Sequence, residues 1–65
     1  MNWDQIEGKW KQLAGSVKAA WGDLTDDEIA EINGNREKLE GKIQERYGKS
    51  KEDAKKVVDD WLSKH

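Results

Sequence analysis

The sequence predicts an all-α chain: four short helices forming two crossed helical hairpins, a small orthogonal bundle with an internal duplication. Three observations carry that prediction. Apolar residues recur at alternating gaps of three and four, which at ~100° per residue draws one narrow stripe along a helix. The six glycines fall into one register, with Gly8, Gly15 and Gly22 spaced by seven and Gly34, Gly41 and Gly48 repeating that spacing twenty-six residues later. Proline is absent, so nothing interrupts a helix from within.

Around the glycines the apolar residues repeat as well. Ile6, Leu13, Val17 and Trp21 line up with Ile32, Leu39, Ile43 and Tyr47, so each half reads I-x-G-x4-L-x-G-x-[VI]-x3-[WY]-G. A pattern of that length marks an internal duplication. Residues 1–65 then form a single domain with approximate halves 1–33 and 34–65, each a longer helix, a glycine-ended turn and a shorter helix.

The first helix is expected from Trp3 to Trp21, capped by Asn2 with Gln5 three residues on, and its stripe is Trp3, Ile6, Trp10, Leu13, Val17 and Trp21. The second, from Thr25 to Asn33, opens on a capping box of Thr25 and Glu28, with Leu24 and Ile29 placed as a hydrophobic staple. It offers Ile29 and Ile32 before Gly34 ends it in a left-handed cap. A third, from Asn35 to Tyr47, carries Leu39, Ile43 and Tyr47 and stops at Gly48. The fourth, from Lys51 to Ser63, is capped by Ser50 and carries Ala54, Val57, Val58, Trp61 and Leu62. No stripe is stable alone, because short isolated helices melt in water and an apolar face needs a partner. Gly15 and Gly41 fall inside helices and off the stripe, where each costs ~1 kcal/mol relative to alanine. Close approach of another backbone is the favoured explanation, and deliberately weak helices are the other.

Bulk composition bounds the remaining possibilities. Charged residues make up 40% of the 65, yet the net charge is only −2 and four tryptophans are present, too many large rings for a solvating tail. The core is small for the chain it must order, so low thermal stability is expected. The absence of cysteine removes disulfides and thiolate metal sites and fits a reducing cytoplasm. No apolar run approaches the ~20 residues that span a bilayer, and Met1-Asn2-Trp3-Asp4 does not start like a signal peptide, so a cytoplasmic chain is expected, with no membrane role.

At Trp10-Lys11-Gln12-Leu13, Trp21-Gly22-Asp23-Leu24-Thr25-Asp26-Asp27 and Gly41-Lys42-Ile43-Gln44-Glu45-Arg46-Tyr47-Gly48, the chain resembles the CsbD-like family of small bacterial stress-response proteins. The resemblance extends over essentially the whole chain. It implies a cytoplasmic protein that accumulates under general stress, a fold of about four helices, and no assigned catalytic or ligand-binding residues. The family commonly places lysines beside the first mid-helix glycine. Here Ala14 and Ser16 flank Gly15, which weakens any role for a basic first helix.

A search for chemistry finds none. His65 is the only histidine and the last residue, where no triad partner or second metal ligand is available, so neither catalytic nor metal residues are assigned and no cofactor is expected. Asp26, Asp27 and Glu28 suit a helix N-terminus, where negative charge complements the dipole. Asp59 and Asp60 follow Lys55 and Lys56 by four residues, a surface ion-pair spacing. The seven-residue glycine spacing does not make the tight nest of amides that cradles phosphate. Charge is uneven, however. Residues 23–33 hold five acids and no base, whereas 34–51 hold six bases against three acids. A basic third helix, using Arg36, Lys38, Lys42, Arg46 and Lys49, with Tyr47 as a stacking ring, is one candidate surface for weak nucleic-acid binding. The interleaved Glu37, Glu40 and Glu45 oppose it. Trp10 belongs in the core. Trp3 and Trp61, near the ends, are candidate anchors for a protein partner or for self-association. A non-enzymatic, monomeric stress-response protein without a small-molecule substrate is the leading reading, with nucleic-acid binding or a small interaction module as alternatives.

Overall fold

The computed structural model describes residues 2–64, which are all-helical and contain no strand. His65 therefore lies outside the described residues. Five helices are present rather than four: α1 Trp3–Gly8, α2 Trp10–Ala20, α3 Asp26–Ile32, α4 Arg36–Tyr47 and α5 Lys51–Ser63. The single first helix expected from Trp3 to Trp21 is broken at Lys9, whose φ of −113° and ψ of 22° leave the helical well. Its N–H is shared between the Gln5 carbonyl at 3.1 Å and the Ile6 carbonyl at 3.2 Å. The break follows Gly8, the weakest helix former in the segment. Beyond the break α1 is tied to the end of α3, where the Trp3 indole Nε1 donates to the Gly34 carbonyl at 2.8 Å.

The side-chain caps at Asn2, Thr25 and Ser50 sit where the sequence puts them. The Asn2 side chain accepts from the Gln5 N–H while the Gln5 side chain accepts from the Asn2 N–H, and Thr25 and Glu28 make the same reciprocal pair. Ser50 accepts from the Asp53 N–H at 3.1 Å. The Asn35 side chain caps α4 through the Lys38 N–H, a device the sequence reading passed over by placing Asn35 inside the helix. At the end of α3 it is Asn33, with φ of 45°, that takes the left-handed cap, and Gly34 follows at 81°. Gly48 closes α4 at 63° as expected.

The stripes converge on one core in which Ile6, Val17, Leu24, Ile32, Leu39, Ile43 and Val58 are fully buried. Successive helices pack on one another, α1 on α2, α2 on α3, α3 on α4 and α4 on α5. The aromatic residues at equivalent positions of the two halves each reach into the other half. Trp21 packs against Trp61 with ring centroids 5.8 Å apart, and the Tyr47 hydroxyl accepts from the Asp23 N–H at 3.2 Å.

Candidate interaction surfaces

The basic side chains of α4 do not form one stripe. Arg36 turns toward α5, where its Nη2 reaches Asp59 at 2.6 Å and its Nε reaches Glu40 at 2.7 Å. Glu40 is only 5% exposed, so this pair neutralises a charge that is otherwise stranded in the core. Arg46 turns the opposite way, toward α3, and binds Glu28 through Nη2 at 3.0 Å and Nε at 3.1 Å. Lys42 joins the same seam, 3.4 Å from Glu31 and 3.9 Å from Glu28. Lys38 and Lys49 are exposed and make no ion pair among the described residues. Three of the five cations assigned to a nucleic-acid face are thus committed to acids within the chain, and two are free.

Glu28 is the centre of the α3–α4 seam. It accepts the Thr25 N–H in the capping box and receives Arg46 on the same carboxylate. The Thr25 N–H and then the Arg46 guanidinium hold its pKa at about 2, well below the usual carboxylate range. The Arg46 pKa is raised in return by its hydrogen bonds to Glu28. Partial burial works against the Arg36 charge, but the hydrogen bonds to Asp59 and Glu40 outweigh it and raise that pKa too.

Asp59 is a partner of Arg36 and not of Lys55. The expected pairing of Lys55 and Lys56 with Asp59 and Asp60 is absent among the described residues, for a physical reason. An exposed i,i+4 pair with the lysine first is the weaker orientation, worth tenths of a kcal/mol, and at Asp59 the Arg36 guanidinium takes its place.

The tryptophans separate as well. Trp61 is 7% exposed and lies in the core against Trp21, so it presents little surface to a partner. Trp3 is half-buried, tilted against Trp10 at 6.4 Å and tied to Gly34. Trp10 is buried as expected, and its Nε1 donates to the Ile29 carbonyl at 3.2 Å.

A groove of about 420 Å³ opens between α2 and α3. Trp10 and Ile29 form its apolar lining with Ala14, Gly15 and Ala30, while Lys11 and Asp26 border it from opposite helices. A second groove, of about 280 Å³, opens at Gly41 between α3 and α4. This overturns the close-packing explanation of the two mid-helix glycines. A Cβ built at Gly15 or Gly41 meets nothing within 4 Å, and each glycine faces open space. Sequence reasoning could not find these grooves, because they depend on which face of a neighbouring helix is left uncovered.

Among the described residues no group of three or more His, Cys, Asp or Glu side chains is placed to hold a metal ion, and no helix is long and apolar enough to cross a membrane. Fold and surface together define a small helical protein whose ionisable groups tie its helices to one another. The CsbD-like family model matches residues 4–56, and the chain belongs to that family. It is 55% identical over its whole length to a UPF0337 protein of Bordetella pertussis, covering 98% of that relative, and to a UPF0337 protein of Protochlamydia amoebophila with the same coverage. The UPF0337 protein YjbJ of Escherichia coli K12 is 52% identical over all of this chain and 94% of its own length.

Proposed function

We propose that this chain is a non-enzymatic protein of general stress, acting in the cytoplasm through its abundance or through contact with another macromolecule. Membership of the CsbD-like family supports the stress role. The observation that carries the non-enzymatic reading is the use made of the charged side chains. Glu28, Arg46 and Lys42 join α3 to α4, and Arg36, Glu40 and Asp59 join α4 to α5, so the closest charge clusters serve the fold. The finer architecture belongs to the same proposal: two helical hairpins, α2–α3 and α4–α5, crossed and tied through Trp21–Trp61 and Asp23–Tyr47. The test compares cells with and without the chain through heat, osmotic shock and stationary phase, following chain level and survival. A level that stays flat in every condition, with survival unaffected, overturns the stress role.

Contact with a protein partner is supported by Gly15, which weakens α2 while the space beside it stays empty. Gly15→Glu fills that groove at an exposed position. Loss of stress protection with folding retained supports contact through the groove, and full protection removes it. Weak nucleic-acid binding rests on Lys38 and Lys49 alone. Titration of labelled DNA and RNA at two salt concentrations decides it, since binding through phosphates weakens steeply with salt and none at low salt ends the reading. Sedimentation at rising concentration tests the monomer.

A further inference from the structure

The chain has three asparagines, and the structure places one of them differently from the others. Asn2 and Asn35 are helix caps whose side chains accept the N–H of Gln5 at 3.0 Å and of Lys38 at 3.1 Å, and each is followed by a large residue, Trp3 or Arg36. Asn33 is exposed, its side chain makes no hydrogen bond among the described residues, and Gly34 follows it. The Gly34 N–H also donates to no acceptor among the described residues. An unengaged side-chain amide followed by an amide nitrogen with no Cβ beside it supplies both reactants for ring closure.

We infer that Asn33 is a site of spontaneous deamidation, exposed to reaction when the joint between α3 and α4 opens and held shut by Trp3. In the reaction the Gly34 nitrogen gives up its proton to hydroxide and attacks Cγ of Asn33. A nitrogen–carbon bond forms, and the side-chain amide nitrogen leaves as ammonia after taking a proton from water. One water then opens the five-membered ring. Attack at one carbonyl leaves aspartate, and attack at the other leaves isoaspartate, with the main chain rerouted through the former side chain. No oxidant, reductant or cofactor enters. The isoaspartyl carboxylate is the chemical class of substrate taken by carboxyl-methylating repair enzymes.

The folded joint opposes this closure by its geometry. With ψ at 43°, the Gly34 nitrogen stands anti to the Asn33 Cβ, whereas the ring needs the two nearly eclipsed. Rotation about ψ must therefore carry Gly34 out of its place. Four contacts resist that rotation. The Asn33 N–H donates to the Ile29 carbonyl at 3.3 Å, and the Asn35 N–H to the Ile32 carbonyl at 2.8 Å. Glu7 lies against Gly34 so closely that a Cβ there would stand 3.1 Å from Glu7 Cγ. Trp3 holds the Gly34 carbonyl. The last two come from α1, so release of α1 frees the joint. The product reinforces the release. A new carboxylate at the C-terminal end of α3 opposes the helix dipole and repels nearby Glu7, and isoaspartate lengthens the turn by one backbone carbon.

The test incubates the folded chain at neutral and mildly alkaline pH. Isoaspartate is read by labelled methyl transfer from an isoaspartyl methyltransferase, and the site is located by peptide mass mapping. Label on the peptide holding Asn33, rising with pH and abolished in Asn33→Gln, is the expected result; earlier or equal modification at Asn2 or Asn35 overturns the assignment. Trp3→Phe keeps a ring but removes the indole donor, and should raise the rate several-fold. Tyr47→Phe removes a hydrogen bond away from the joint and should leave the rate unchanged; equal rates in the two variants overturn the latch. If Trp3→Phe does not fold, the wild-type chain in urea below its unfolding midpoint decides the matter. A rate that climbs with exchange of the Asn33 and Asn35 N–H supports the latch, and one that stays flat until global unfolding overturns it.

Discussion

In the first half of the chain, the Trp10 indole N–H crosses from α2 to the Ile29 carbonyl of α3 at 3.2 Å. Twenty-six residues on from Trp10, Arg36 crosses from α4 to the Lys55 carbonyl of α5 at 3.4 Å, one place past the counterpart of Ile29 because the caps Thr25 and Ser50 stand twenty-five residues apart. The donor recurs at that spacing while its chemistry changes and its acceptor shifts by one residue. An indole brings its own apolar surface and needs no counter-ion. A guanidinium needs carboxylates, and Glu40 and Asp59 supply them. Position 14, the equivalent of Glu40, is alanine, and the first half is left with an open apolar groove there. Both seams rest on the apolar core, and the first adds a neutral indole contact where the second adds a charged one.

Substitutions at the two donors test that contrast most severely. Trp10→Ala should cost about 3–5 kcal/mol, the range for truncating a large core aromatic, and its effect should not depend on salt. Arg36→Ala should cost less, about 1–3 kcal/mol, because what it leaves behind is the poorly hydrated Glu40 carboxylate. Urea unfolding at low and high salt measures both, and a salt-independent Arg36 loss would break the distinction.

The charged seam between α3 and α4 should show itself in acid. The Glu28 pKa lies at about 2 when folded, below its ordinary value of 4.5, so its contribution to stability is fully present above 4.5 and is lost as pH falls toward 2. Thermal midpoints between pH 7 and pH 2 should therefore fall less steeply in Glu28→Gln than in the wild-type chain. Among the caps, Thr25→Ala should cost about 0.5–2 kcal/mol and exceed Ser50→Ala, since Thr25 also positions Glu28 while the Ser50 cap has no reciprocal partner. The smallest effect has the opposite sign. Gly15→Ala and Gly41→Ala meet nothing within 4 Å and should each stabilise the chain by up to ~1 kcal/mol in thermal unfolding.

Most of the helical layout was legible from local chemistry. The starts of α3 and α5 and the stop of α4 follow from the Thr25 and Ser50 caps and from Gly48, which act within a few positions of themselves. The break at Lys9 was not legible, because Gly8 only permits it and the contact that fixes α1 beyond it, Trp3 to Gly34, joins residues thirty-one apart. The candidate surface also depends on contacts between distant residues. Arg36, Lys42 and Arg46 read as a basic face in sequence, yet each turns to an acid on a neighbouring helix. Trp61 read as a marginal ring and is buried because Trp21 arrives from the other half.

What the sequence determined by itself was the helical class, the side-chain caps at Asn2, Thr25 and Ser50 and the family, all of which depend on residues close together in the chain or on their order. Only the tertiary structure decided which charges are spent on seams, which ring stays half-buried, and that Gly15 and Gly41 open onto grooves instead of packing against a backbone. Those outcomes depend on which helix faces meet, and pairing of faces is a property of the whole assembly that no single stripe encodes.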